Sequence, residues 1–406
     1  MDALIVDAAR ALAAGDPLGA LKRVALRDDA PALALRGIAM AQLGDLVKAK
    51  ALVRSAARAF GPKHPVARAR CIVAEAEIAL ASRDLRWPAR SLDAARTTLA
   101  AHGDRVNAAH AQYLAIRRLV LVGRVDEAED MLSRLEAASM PPLLQTIHEL
   151  MVAGIAIRRV HAKAASAALQ RAEHAARRTR IPALMAEVEN AALVLKTPAA
   201  RQVARGGDRI LLLEDVETLR ASKTLIIDAC RHVVHADRAE ISLARRPVLF
   251  ALARALGEAW PNDVRRDTLV ARAFRLKLAD ESHRARLRVE IGRLRATLRM
   301  VADIRATKRG FALAPHRLRE VIVLTLPVEE NHAAVLAMLA DGEPWSSSAL
   351  ALALGTSQRS TQRALDALAA RGKVRSLGRG RARRWMTPPT PGFATMLLLP
   401  APLPND

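Results

Sequence analysis

The sequence predicts a mainly α-helical chain, with a helical N-terminal half followed by two smaller α+β units. Three observations predict it. Ala and Leu supply the bulk of the 51% apolar content while aromatics are only 2%. Ala and Leu lead the helix propensities, whereas the scarce aromatic and β-branched residues favour strands. Up to residue 196 apolar residues recur at three-to-four spacing, as at Leu43, Val47 and Ala51, which is the period of one helix face. From residue 209 short β-branched runs begin, and runs and helices then alternate through two units. A length of 406 residues fits two to three domains.

The helical half carries an internal repeat. Gly15-Asp16 precedes Ala20, Gly44-Asp45 precedes Ala49 and Gly123-Arg124 precedes Ala128, so a Gly and a polar residue stand five before an Ala each time. Less regular copies lie near Ser82 and His161, and the marks at 44, 82, 123 and 161 are 38, 41 and 38 residues apart. Gly permits a tight turn between antiparallel helices and a small Ala lets them approach. Units of this period stack into a solenoid; an irregular helical bundle is the alternative. The pattern resembles a tetratricopeptide-repeat array over residues 1–196, with longer units and most of that family's Trp and Tyr positions missing. The resemblance implies a surface for a protein or peptide partner or for a second copy of the chain.

Thr197-Pro198 ends the helices, and Arg205-Gly206-Gly207-Asp208 reads as a linker-like turn. Strands are then predicted at 210–213, 224–227, 233–234 and 240–243, with a hairpin turn at 236–238. Helices follow at 247–257, 266–274 and 280–300, then a hairpin over 303–313 that turns around Arg309-Gly310. Sheet, three helices and hairpin is the order of a winged helix. Residues 224–315 resemble the OmpR/PhoB-type winged-helix DNA-binding domain. IIDACRHVVHADRAEISLARRPVLFALARAL matches its strands and first helix, VRRDTLVARAF its second, LRVEIGRLRATL its recognition helix and IRATKRGFAL its wing. The domain is assigned to 209–315. Gly292 departs from the family, which often carries a long polar residue there. No receiver segment with a phosphorylatable Asp is read before it, so the family's phosphorelay is not implied.

A third unit is assigned to 328–387. Helices are expected at 329–340, at 346–354 behind a serine run that supplies an N-cap, and at 358–371 with Ser357 as cap and Gly372 as stop. A hairpin over 373–377 and 382–386 turns around Gly378-Arg379-Gly380. ALGTSQRSTQRALDALAARGKV resembles the winged helix of MarR-type and related regulators. Residues 388–406, rich in Pro and Leu, are expected to form a docked tail. The predicted fold is thus a TPR-like α-solenoid followed by two α+β winged-helix domains.

On a wheel of about 100° per residue, Leu287, Ile291, Leu294 and Leu298 share one face of the 280–300 helix and should be core. Arg284, Arg286, Arg288, Val289, Gly292, Arg293 and Arg299 lie on the flanks and far side. Arg pairs bidentately with guanine O6 and N7, and Val289 can meet a thymine methyl. A solvated arginine face is the plain alternative. Lys308 and Arg309 at the hairpin tip suit phosphate or minor-groove contact, while Arg305 fits either wing packing or contact. In the third unit Gln358, Arg359, Thr361, Gln362 and Arg363 are the expected base or phosphate readers, with Ala364, Leu365 and Leu368 as core. Arg375, Arg379, Arg381 and Arg383 belong to a stretch of seven cations and no acid at 371–384, which repels itself unless phosphates or counterions neutralise it. Arg379-Gly380-Arg381 is similar to an AT-hook core without its prolines and is read as a wing tip. Trp385 fits the wing core better than stacking on a sugar.

Lys plus Arg total 64, 54 of them Arg, against 41 Asp plus Glu, for a net charge of +23. Such a field attracts polyanions. Cys71 and Cys230 show no framework spacing, which suits a reducing cytoplasm. The opening MDALIVDAAR has no basic n-region, and no 18-residue apolar window occurs, so neither export nor membrane partnership is expected. Cys230, His232 and His235 lack a fourth metal ligand, since Cys230 and His232 share a strand face and His235 does not. No phosphate-binding glycine loop, Rossmann fingerprint or catalytic set is found, so no cofactor and no enzyme activity are expected. The residues point to a cytoplasmic, nucleoid-associated regulator that reads double-stranded DNA. Its layout resembles SARP-type activators with the order of domains reversed. A protein scaffold and the DNA-targeting subunit of a larger enzyme system are the competing readings.

Overall fold

The structure is a computed structural model that describes residues 2–136, 139–204, 207–237, 239–274, 281–316, 320–327, 332–339, 344–370, 373–378, 380 and 383–387. The fold is mainly helical with some sheet. Its contacts divide it into two units. One comprises Met1–Arg159, Lys163–Val194 and the segment that begins at Ala334; the other comprises Leu195–Ala333 with Val160–Ala162. No helix among the described residues is long and apolar enough to cross a membrane.

The first unit opens with α1 (Ala3–Ala13), α2 (Pro17–Val24), α3 (Ala30–Gln42), α4 (Leu46–Phe60), α5 (Pro65–Ala81) and α6 (Ala89–Ala101). It continues with α7 (Arg105–Leu121), α8 (Val125–Ser133), α9 (Pro142–Arg159), α10 (Ala162–Thr179) and α11 (Pro182–Lys196). Consecutive helices pack on one another through α9, and α1, α3, α5, α7 and α9 also touch in series. The odd helices therefore form one layer with neighbours on both sides. This explains why α5 and α7 bury residues around much of their circumference. By contrast, α4 buries only the stripe Ala49, Val53 and Ala56, and α6 only Leu92, Ala95 and Leu99.

The repeated Gly-Asp turn has a specific mechanism. Gly44 has φ of +87° and ends α3, its N–H donating to the Ala41 carbonyl while Asp45 N–H reaches back to Met40 at 2.9 Å. The Asp45 side chain then accepts from Lys48 N–H and starts α4. One dipeptide thus stops a helix and caps the next. Asp16 and Asp104 cap their helices in the same way. The expected close-approach alanines Ala20, Ala49 and Ala128 are all 0% exposed. Two marks shift by one residue: Arg83 and Val160, not Ser82 and His161, take the left-handed turn conformation, at φ of +52° and +62°.

The second unit holds β1 (Ala200–Ala204), β2 (Gly207–Leu211), α12 (Leu213–Arg220), β3 (Thr224–Asp228), β4 (Val233–Ala236), β5 (Ala239–Ser242) and α13 (Pro247–Ala259). Next come β6 (Val264–Arg265), α14 (Arg266–Phe274), α15 (Glu281–Leu298), β7 (Ala302–Ala306), β8 (Gly310–Pro315) and β9 (Glu320–Thr325). Three expectations are corrected here. The strand expected at 210–213 ends at Leu211, because Asp215 accepts from Leu212 N–H at 2.9 Å and, with Glu214, favours a helix start. The linker-like turn expected at 205–208 stands between paired strands, with Ala204 opposite Gly207, while Arg205 and Gly206 lie outside the described residues. The stretch between the domains assigned to 209–315 and 328–387 contains β9, which lies between β1 and β3 and runs parallel to β3 in the six-stranded order β2-β1-β9-β3-β4-β5. The sheet thus carries this unit beyond 209–315 on both sides. Val321 to Thr325 are buried throughout, as a strand covered on both faces must be. Helix α13 comes so close to the sheet at Gly257 that a Cβ there would meet Ile227 Cδ1 at 2.3 Å.

The segment from residue 334 rejoins the first unit. It contains α16 (Ala333–Leu339), α17 (Ser347–Ala353), α18 (Gln358–Ala370), β10 (Arg375–Leu377) and β11 (Arg384–Met386). Ser346 and Ser357 cap α17 and α18 as expected. Leu339, Trp345, Leu350, Leu365, Leu368 and Trp385 share one apolar core with Ala69, Val73, Leu92, Leu99 and Leu114 of α5–α7. The unit read as a separate domain at 328–387 is therefore packed on the helical array. Residues 388–406, expected to be a docked tail, lie outside the described residues, as do 329–331 and 340 of the helix expected at 329–340.

Candidate nucleic-acid interface

Helix α15 is two-faced, as its periodicity predicts. Leu287, Ile291, Leu294 and Leu298 are at most 1% exposed and join the core of the second unit. On the opposite side lie Ala285, Val289, Gly292 and Ala296, all solvent-exposed and small or apolar. Val289 is 54% exposed, and a Cβ on Gly292 would meet nothing within 4 Å. Arg288 and Arg299 border this stripe on one side and Arg286 and Arg293 on the other, all exposed. Two of the arginines are held in place: Arg293 pairs with Glu290 at 2.8 Å, and the Arg286 guanidinium sits 4.7 Å from the Phe274 ring centre. Arg284 pairs with Asp267 of α14 at 3.3 Å.

The β7–β8 hairpin stands beside this helix. Its tip residues Lys308 and Arg309 are exposed, and so is Arg305 on β7. Sequence reasoning missed what holds the tip. Arg266, the first residue of α14, donates to the Lys308 carbonyl at 3.0 Å and the Thr307 carbonyl at 3.1 Å. Thr307 Oγ1 donates to Asp263 at 2.5 Å and accepts from Gly310 N–H at 2.9 Å. Arg295 of α15 donates to the Ile304 carbonyl at 2.7 Å. Arg266 and Arg295 both stand over the Phe311 ring. The helix and the hairpin are thus braced to each other through backbone carbonyls. At Gly310 a Cβ would lie 1.7 Å from the Val264 carbonyl oxygen. Gly310→Ala must therefore push β6 and β8 apart, and a cost of about 1–3 kcal/mol is expected. Calorimetric unfolding of the variant checks this, and an unchanged melting temperature would contradict it.

The C-terminal segment brings together fewer of its expected residues. Arg359, Arg363 and Arg375 are exposed, and Arg383 is exposed with its guanidinium 4.2 Å from the Trp385 ring centre. Gln362 donates to Asp366 at 3.0 Å. Gln358 donates to Ser347 at 3.4 Å and accepts from Arg86 of the helical array at 3.5 Å. Thr361 is corrected: it is 2% exposed, with its hydroxyl 2.8 Å from Thr356 Oγ1, so it braces the turn between α17 and α18 and faces no base. Trp385 is core at 1% exposure, its backbone bonded in both directions to Trp345. Arg379 and Arg381 lie outside the described residues.

The cysteine and histidines of the 230–235 segment have separate roles. Burial pushes the Cys230 thiol up to about 12. His232 packs edge-on against Phe250, and His235 Nε2 lies 3.1 Å from the Arg220 carbonyl. Among the described residues no three His, Cys, Asp or Glu are grouped to hold a metal ion. No protein-family model matches the chain, and no curated protein or solved structure matches it either.

Proposed function

We propose that this chain is a sequence-specific DNA-binding transcription regulator, in which the Leu195–Ala333 unit acts as an OmpR/PhoB-like winged helix. In this reading α15 enters the major groove and β7–β8 is the wing. The observation that carries it is the exposed face of α15, a small apolar stripe with arginines along both edges. A stripe of Ala, Val and Gly lets the helix seat deeply, arginines on either side reach base edges and phosphates, and Val289 offers a methyl contact to thymine. Lys308 and Arg309 add backbone contacts, and the +23 charge favours association with a polyanion. The helical array serves as a TPR-like solenoid for a protein partner or a second copy. Helices α16–α18 with β10–β11 form the second winged helix, reading through Arg359, Arg363, Arg375 and Arg383.

A protein scaffold remains the competing reading, because the last three helices spend an apolar face on α5–α7. The two readings differ in how DNA binding responds to sequence and salt. Selection of bound duplexes from a random pool at near-physiological salt should enrich a defined motif. Binding without a motif, lost as salt rises, would favour the scaffold.

A further inference from the structure

The helical array contains a second candidate site. Glu77 of α5, His110 and Arg117 of α7 and Glu187 of α11 converge with Ile147, Leu150 and Met151 of α9 on a small recess of about 30 Å³ behind an open mouth. His110 is 1% exposed, and its Nε2 lies 3.1 Å from Glu77 Oε2. Its Nδ1 is buried with no hydrogen-bond partner. In the neutral tautomer that donates Nε2–H to the carboxylate, Nδ1 is an acceptor, and an unmet buried acceptor is costly.

Glu187 is a second acceptor on the wall of the recess. Its nearest cation, Arg117, stands 3.8 Å away, beyond hydrogen-bonding distance. About 30% of the side chain is exposed to solvent, and it lines the recess. Burial among the recess walls raises its carboxyl above the ordinary value, Arg117 and Arg83 oppose the rise, and Glu77 adds to it. Tyr113 does not supply the donor, because its hydroxyl already lies 3.1 Å from His148 Nδ1 and 3.4 Å from Met140 Sδ. The open polar positions are thus acceptors, and the wall beside them is hydrocarbon.

We propose that this recess binds a small aliphatic monoammonium ion. Its N–H groups would be taken by His110 Nδ1 and the Glu187 carboxylate, and its chain would lie against Ile147, Leu150 and Met151. The nearby Arg117 guanidinium disfavours a second positive charge on the ligand.

Isothermal titration of the full chain without DNA tests this with n-butylammonium, using butyrate and 1-butanol as controls of equal chain length. Saturable one-to-one binding of n-butylammonium is expected, with a Kd on the order of 1 mM, as suits about five heavy atoms. Butyrate and butanol should not bind. Glu187→Gln should weaken binding about tenfold, a change of about 1.4 kcal/mol. Ile147→Phe, which fills the recess, should abolish it. The proposal is overturned by no saturable heat for n-butylammonium, by equal binding of butyrate, or by unchanged affinity in Glu187→Gln. Should Glu187→Gln lose its helical circular dichroism, Ile147→Phe decides alone: retained binding overturns the site. DNA takes no part in the experiment, so the result is separate from that of the duplex selection.

Discussion

Arg288→Ala combined with Arg293→Ala is expected to erase the motif enriched by the intact protein while leaving its melting temperature nearly unchanged. Both side chains are exposed on α15 and outside its buried stripe, and an exposed ion pair such as Arg293–Glu290 contributes little to stability. A good bidentate contact discriminates by about 1–3 kcal/mol. Losing two therefore weakens specific binding by roughly 30-fold to 10⁴-fold. Replacing both residues with Lys separates charge from geometry. Lys keeps the cation and loses the planar fork, so the double Lys variant should retain salt-sensitive binding and lose the motif. Gel-shift titrations on motif and scrambled duplexes at two salt concentrations check both outcomes. Unchanged enrichment in the Ala variant would remove α15 as the reading element.

Trp345→Ala is expected to destabilise the helical array as well as the C-terminal segment, by about 3–5 kcal/mol. Trp345 is 1% exposed, shares a core with residues of α5–α7, and is bonded through its backbone to the equally buried Trp385. Removing the indole leaves a cavity at the place where the two meet. Trp345→Phe should cost less than the alanine change. It keeps much of the ring volume and deletes an indole N–H that is buried without a partner. Limited proteolysis with mass spectrometry reads the outcome by position. Early cleavage within α5–α7 together with α16–α18 is expected. Cleavage confined to the C-terminal segment would show that the array stands without it.

What the sequence made legible was local. The buried stripe of α15 follows from Leu at positions 287, 294 and 298 with Ile291, because helix periodicity repeats over five turns. Thr361 was misread although its own spacing places it correctly. It lies three, four and seven residues before Ala364, Leu365 and Leu368, and so on their buried face. Strand β9 also carried its signal, four apolar residues from Val321 to Leu324, which was outweighed by its place between two recognisable units. Strand β1 carried almost none, since ARQVA is held by pairing to β2 and β9. Nothing local announces that Arg83 and Val160 take the conformation Gly44 takes, or that Trp345 belongs with Leu99. Arg266 was invisible as a brace for the same reason: its partners at Thr307 and Lys308 are 41 and 42 residues away.

The shared core at Trp345 has a consequence for how the chain acquires its structure. A ribosome delivers α5–α7 long before residues 345–385, while the Leu195–Ala333 unit emerges whole in between and draws its sheet, helices and hairpin from one continuous stretch. During synthesis the apolar surface around Leu99 and Leu114 stays uncovered until the final stretch is translated. The Leu195–Ala333 unit can therefore complete its core before the one core that α5–α7 share with the C-terminal segment is closed. In the interval the exposed leucines are a target for chaperones or for a neighbouring nascent copy on the same messenger.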